Sequence, residues 1–404
     1  MMSSLRHRPF IDLLIVAAGL LAAGNAFAQD AQKIGIGYLR VAGDEVLPLS
    51  RIDTPPDDIG EAGAQLGIKD NQTTGRFTKQ DFALTVEKAV NQDEALAALD
   101  KMLDAGTLLI AVDAPAPVQL ALADRAAGKG GILLNVNSTD DGLRAENCRI
   151  NLFHTAPSRA MLADALAQYL AFKKWRRWFL TAGVKPNDKA FADAIKRSAK
   201  RFGAQIVEER QYAEEGGSRR SDTGQEQVQQ QMIVFTQRAP EYDVLVVADE
   251  SEVFGAYLPY RTWDPRPVVG TSGLVPTTWH PAHEQWGGTQ LQSRFERTAK
   301  RRMTPLDYQA WEAVRLIGEA AIRTKSSDVK TLRQFMLSPD FGLGAFKGQA
   351  VTFRNWDRQL RQPILLTTLQ MVVSVSPQPG FLHQFFETDT LGVDQPESKC
   401  TARG

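Results

Sequence analysis

Few side chains in this chain are spaced for chemistry. His280 and His283 flank Pro281-Ala282, with Glu284 beside them, and two imidazoles and a carboxylate at that spacing could share a metal. Proline removes the helical geometry that would aim them together, so a solvated loop or a ligand contact is expected there. Asp140-Asp141 and Asp249-Glu250 are acid pairs that could move protons, yet neither has a basic or nucleophilic partner nearby in sequence. Gly270-Thr271-Ser272-Gly273 lacks the second glycine of a nucleophile elbow, because Leu274 stands at that place. Gly35-Ile36-Gly37 has Arg40 where a dinucleotide fingerprint has glycine, and Gly128-Lys129-Gly130-Gly131 lacks the spacing of a phosphate loop. Lys173-Lys174-Trp175-Arg176-Arg177-Trp178 has the composition of a nucleic-acid patch, but it reads as a helix C-terminus entering a strand, where cations oppose the helix dipole. No catalytic residue, metal or catalytic cofactor is expected, and the missing motifs argue against an enzyme.

The elements that would position a ligand are clearer. Apolar runs alternate with amphipathic stretches, the rhythm of parallel strands joined by crossover helices. Strands are predicted at Lys33–Leu39, Phe82–Val90, Leu108–Val112 and Gly131–Val136, with helices at Asp93–Leu103 and Val118–Ala127. After Pro157 the rhythm restarts with a helix at Arg159–Phe172 and strands at Arg177–Thr181, Gln205–Glu209, Asp243–Ala248 and Pro267–Gly270. Helices are predicted at Phe191–Phe202 and Gln225–Thr236, and Glu214–Gln231 reads as a polar loop or insertion overlapping the latter. The later chain is helical over Thr304–Met336 and rich in β-formers over Val351–Val375, so it should return to complete both sheets. The expected architecture is α/β: two Rossmann-like lobes, residues 29–154 with 273–335 and residues 155–272 with 336–404, joined by a multi-strand hinge beside a cleft.

The first 28 residues read as a cleavable secretory signal peptide. Arg6 and Arg8 precede the apolar stretch Ile11–Leu21, and Ala26-Phe27-Ala28 supplies a small-x-small cleavage site. The chain is thus expected in the periplasm, with a mature start near Gln29. Lys plus Arg and Asp plus Glu are each 47 of the 404 residues, which leaves no global field to hold nucleic acid or a membrane surface. The two cysteines, Cys148 and Cys400, are expected to form a disulfide in an exported chain.

In an open parallel sheet the ligand sits beyond the carboxyl ends of the strands. That rule selects the loops at 38–41, 113–117, 137–144, 183–188, 249–252 and 271–279. They are rich in hydrogen-bonding groups and cations, with an aromatic face at Tyr38 and Trp279.

Three blocks, Lys33-Ile34-Gly35-Ile36-Gly37-Tyr38, Phe153-His154-Thr155-Ala156-Pro157-Ser158 and Gly348-Gln349-Ala350-Val351-Thr352-Phe353, resemble the branched-chain amino-acid type of periplasmic substrate-binding protein, which has the type 1 periplasmic fold. A narrower similarity lies in Asn355-Trp356-Asp357-Arg358-Gln359-Leu360-Arg361-Gln362-Pro363, in Trp286–Phe295 and in Glu387–Gly392 with Cys400 beyond. These resemble the substrate-binding proteins associated with pyrroloquinoline quinone (PQQ)-dependent alcohol dehydrogenase systems. The resemblance implies PQQ as bound ligand, the membrane subunits of an ABC transporter as partners and a PQQ-dependent dehydrogenase as a further partner; the chain is expected to be a monomer. Where amino-acid binders carry a Gly/Ser/Thr-rich loop, this chain has Asp113-Ala114-Pro115-Ala116-Pro117, which removes donors and adds a negative charge. A flat tricarboxylate needs aromatic faces and cations. The candidate ligand residues are Tyr38, Trp279 and Trp286 for stacking, Arg40, Arg144, Lys185 and Arg294 for charge, and Asn137 and Thr271 for hydrogen bonds. The alternatives are another small solute, such as an amino acid, amide or aromatic acid, and a non-catalytic accessory subunit of an alcohol dehydrogenase.

Overall fold

The computed structural model describes residues 31–41, 54–213 and 222–401; the signal-peptide stretch lies outside these. The chain first builds β1 (Gln32–Val41), α1 (Glu61–Thr78), β2 (Gln80–Ala89), α2 (Gln92–Asp104), β3 (Leu109–Asp113), α3 (Ala116–Ala127), β4 (Ile132–Asn135) and β5 (Leu152–His154). The strands form one parallel sheet in the order β2-β1-β3-β4-β5. Every residue of β3 and β4 is buried, as expected for strands covered on both faces by crossover helices. The second unit runs α4 (Arg159–Phe172), β6 (Arg177–Gly183), α5 (Pro186–Arg201), β7 (Gln205–Tyr212), α6 (Asp222–Thr236), β8 (Val244–Ala248) and β9 (Val268–Gly270). Its parallel sheet has the order β7-β6-β8-β9. Residues 222–231, expected as polar loop, are the opening turns of α6: Gln and Glu favour helix over turn.

The remaining chain is β10 (Val275–Thr277), α7 (Gly288–Ala299), α8 (Pro305–Thr324), α9 (Val329–Met336), β11 (Leu343–Gly344), β12 (Ala350–Phe353), β13 (Leu360–Arg361), β14 (Ile364–Thr367) and β15 (Val372–Ser376). Helix α8 starts at Pro305 behind a capping box in which Thr304 and Asp307 serve each other's backbone N–H. It lies close against α1, because a Cβ on Gly63 would stand 1.8 Å from the Asp307 carbonyl oxygen. Phe341, Leu343, Ala345, Val351, Phe353 and Leu360 join the core of the first sheet, together with Ile36, Leu134 and Ile317. The sequence boundary at 336 therefore falls too early. These short strands return to the first core, and only from Ile364 does the chain enter the second, with Leu366 and Leu391.

Three crossovers connect the two cores, at 154–158, near Thr278 and at Gln362–Pro363. Hydrogen bonds knit them together. Thr155 donates through Oγ1 to the Gln309 carbonyl (3.1 Å), Gln309 Nε2 donates to Thr278 Oγ1 (2.9 Å), and Gln362 Nε2 donates to the Thr155 carbonyl (2.6 Å). A joint of this kind lets two rigid units rotate as bodies.

Candidate functional site

At the carboxyl end of the first sheet, Arg40 and Asp113 are register partners on β1 and β3. Arg40 Nε lies 3.5 Å from Asp113 Oδ2, and the arginine side chain remains 29% exposed. Asn137 Nδ2 donates to Asp113 Oδ1 at 2.7 Å, and Tyr38 Oη donates to Oδ2 at 3.5 Å. Burial raises the Asp113 pKa, against the opposing pull of the Asn137 hydrogen bond and of Arg40. The same burial, reinforced by Asp113, pushes the Tyr38 phenol well up, so that hydroxyl stays a donor.

Two side chains carry the site across to the second sheet. Arg159 opens α4, where Ser158 caps the helix through the Met161 N–H. Its backbone N–H donates to the Thr139 carbonyl, and Asp141 accepts from the next amide, Ala160 (3.0 Å). From this helix start the Arg159 guanidinium makes a forked pair with Glu250, just beyond β8, with contacts of 2.6, 2.9 and 3.1 Å. Asp140 stands 4.0 Å from the same guanidinium. The Arg159 side chain is only 7% exposed and Glu250 22%. Burial raises the Glu250 pKa, and Arg159 opposes it.

Around this bridge other acids do structural work. Asp188 accepts from the Ser251 hydroxyl and amide (the amide at 2.9 Å) and so ties the first turn of α5 to the loop after β8. Asp249 accepts from the amides of Val253, Phe254 and Gly255 at 2.9, 2.8 and 2.6 Å.

The sequence-selected residues divide sharply. Arg40 and Asn137 meet at Asp113 as described. Lys185 is exposed at the start of α5, and Thr271 accepts the Asp249 N–H at 3.1 Å and so fixes the β8 loop. Tyr38 and Trp279 are buried and offer no open face. Trp279 stacks on Tyr308 at 4.8 Å and donates to Gln292 (3.0 Å), so it is a core residue. Trp286 is 50% exposed, but its ring covers Gly348 and neighbours His283, on the segment leading into α7. Arg144 is buried and donates to Gln359 and to the carbonyls of Ser138, Asp140 and Ala156, all within 3.0 Å. It shapes the 138–140 loop, and four of its five N–H donors are already taken by these protein acceptors. Arg294 is paired with Asp70 of α1 at 2.6 Å. Arg159 and Glu250 were missed as site residues: they lie 91 positions apart, and only the fold brings them together.

Among the described residues no group of three or more His, Cys, Asp or Glu is placed to hold a metal, and no helix is long and apolar enough to cross a membrane. His283 Nε2 is engaged by the Phe346 carbonyl at 2.8 Å. Cys148 and Cys400 form the expected disulfide.

Two doubly wound units with interleaved crossovers and polar groups converging at their strand ends define the type 1 periplasmic-binding fold. Residues 58–221 match the family model described as periplasmic binding protein, and no curated protein matches the chain. Among solved structures the chain is similar to the leucine-, isoleucine-, valine-, threonine- and alanine-binding protein from Brucella ovis in a closed conformation (13% identity, TM-score 0.69, covering 93% of this chain and 100% of that one). It is also similar to a branched-chain amino acid ABC transporter periplasmic ligand-binding protein from Burkholderia xenovorans LB400 (15%, TM-score 0.67, 91% and 99%). A solute-binding protein of an ABC transporter from Rhodopseudomonas palustris BisB5, in complex with 3,4-dihydroxybenzoic acid, is a further likeness (12%, TM-score 0.58, 83% and 93%).

Proposed function

We propose that this chain is a periplasmic solute-binding protein, which captures a small solute between its two units and presents it to the membrane subunits of an ABC transporter. The match over residues 58–221 and the likeness to transporter-associated binding proteins support that reading. The observation that carries it is the Arg159–Glu250 pair, reaching from the end of one sheet to the Asp140–Asp141 loop at the end of the other. A solute lodged there touches both units at once, so binding favours the closed arrangement over the open one.

The charges at the strand ends of the two sheets come in opposed pairs, Arg40 with Asp113 and Arg159 with Glu250, with Asp140 and Asp141 adding negative charge beside Arg159. Such a lining suits a solute that carries a cationic or hydrogen-bond-donating group as well as a carboxylate, an amino acid or a close analogue. It suits PQQ less well. A flat tricarboxylate needs open stacking faces and cations in excess, whereas Tyr38 and Trp279 are buried and Arg144 and Arg294 are committed elsewhere.

Calorimetric titration of the mature protein with leucine, 3,4-dihydroxybenzoate and PQQ separates these. Saturable one-to-one binding of leucine is the expected result. Saturation by PQQ alone would overturn the ligand class and restore the quinone, and no heat with any of a broad panel of amino acids, amides and aromatic acids would overturn solute capture.

A further inference from the structure

The last segment of the chain does more than end it. Cys400 is bonded to Cys148, 252 positions earlier, in the loop between β4 and β5 of the first unit. Lys399 reaches Glu146 in the same loop at 3.1 Å. Immediately before this anchor the chain is held by the other unit. Leu391 is buried in the second core, and Thr390 Oγ1 accepts from Gln168 of α4 at 2.9 Å. The Gly392 amide donates to Asp164 (2.8 Å), and its carbonyl accepts from Arg197 (2.8 Å) and Arg201 (2.6 Å) of α5. Glu397 pairs with the same two arginines at 3.4 and 3.3 Å. Earlier still, Asp389 accepts from Arg354, which follows β12, and from Arg361 of β13, directly before the Gln362–Pro363 crossover.

The segment Glu387–Cys400 therefore touches both units along its length and ends in a covalent bond to the first, only three residues after its last ion pair to the second. We propose that it is a fourth connection across the hinge, a strap that restrains opening of the two units and that is released by breaking the Cys148–Cys400 bond. A dithiol reductant supplies the two electrons, giving two cysteine thiols and the reductant's own disulfide. None of the strap contacts involves Arg40, Asp113, Asn137, Arg159 or Glu250, so release acts on opening and leaves the cleft groups in place.

The test uses the full mature chain without solute, so its outcome is independent of which ligand the cleft takes. The C148S/C400S double variant and the wild type with and without dithiothreitol are compared by small-angle scattering and backbone hydrogen exchange. Losing the bond also frees the unfolded chain and lowers global stability, which makes the location of faster exchange the deciding readout. The expected result is a larger radius of gyration and roughly tenfold faster exchange at the crossover amides around Thr155, Thr278 and Gln362, well beyond the smaller acceleration that lower global stability brings to β3 and β8. R197A/R201A, which loosens the other end of the strap and keeps the disulfide, should shift both readouts the same way. Unchanged scattering and crossover exchange in these proteins would overturn the strap. So would acceleration spread equally through β3 and β8, which would make the bond a global staple.

Discussion

Replacing Asp389 by Asn removes one charge and almost no volume from a deeply buried ion network. The Asp389 side chain is 2% exposed and accepts three hydrogen bonds, from Arg354 Nε at 2.8 Å and from Arg361 Nε to both oxygens at 2.9 Å. Arg354 is itself 1% exposed, and three of its four remaining donors go to the carbonyls of Thr388, Leu391 and Val393. Removing one partner of a buried pair costs about 3–5 kcal/mol, because the other charge is left buried without compensation. Asp357 lies 3.8 Å from Arg354 as a residual counter-charge, and Arg361 is 10% exposed, so the lower end of that range, about 3 kcal/mol, is expected. Urea unfolding followed by far-UV circular dichroism measures it as a fall in midpoint with an unchanged slope. Asp124→Asn, which breaks the exposed pair with Arg149, is the control and should cost less than about 1 kcal/mol. A loss below about 1 kcal/mol for Asp389→Asn would refute the reasoning, since it would mean that water already reaches the two guanidiniums.

Three further outcomes are expected. Glu250→Gln takes one carboxylate away from Arg159, so affinity for 3,4-dihydroxybenzoate should rise about tenfold relative to affinity for leucine, worth about 1.4 kcal/mol; equal changes for both solutes in calorimetry would count against the paired-charge cleft. Burial pushes Glu312 from 4.5 up to about 7, while the neighbouring Lys347 is pulled down to about 8. Because the carboxyl is protonated more readily in the fold than in the unfolded chain, its contribution is complete below pH about 4.5 and fades as pH rises through about 7. Thermal unfolding of Glu312→Gln should therefore gain on the wild type across that window, and a pH-independent difference would argue against it. Thr155→Ala removes the Gln309 link of the hinge and should cost about 1 kcal/mol in urea unfolding, with no loss of cleft side-chain contacts; a cost near zero would show that this link does not hold the crossovers.

Much of the fold was legible because buried parallel strands announce themselves. Leu109–Asp113 and Val244–Ala248 are short apolar runs bounded by helices, and the sheets follow from them. Which sheet a late strand joins is another matter. Val351 and Phe353 carry the same local pattern as Ile364 and Leu366, yet they pack in different cores, since that choice is made by distant partners. The site was legible by position and not by residue. The strand-end rule pointed to the loops that hold Arg40, Asp113, Asn137 and Glu250, but tryptophan serves a core as readily as a ligand, and Trp279 serves the core. Arg144 likewise has the composition of an anion site and the partners of a loop staple. The Arg159–Glu250 fork had no sequence signal, because the helix start and the strand end that supply it are remote along the chain.

The claim that a solute is held between the strand ends of both units is tested most directly by hydrogen exchange of the mature protein, with and without a saturating solute identified by calorimetry. Protection arising together in the loops at 137–144 and 249–252, with none on the outer helix α2, is the predicted result. Protection confined to one unit, or appearing away from these loops, would contradict capture in the cleft.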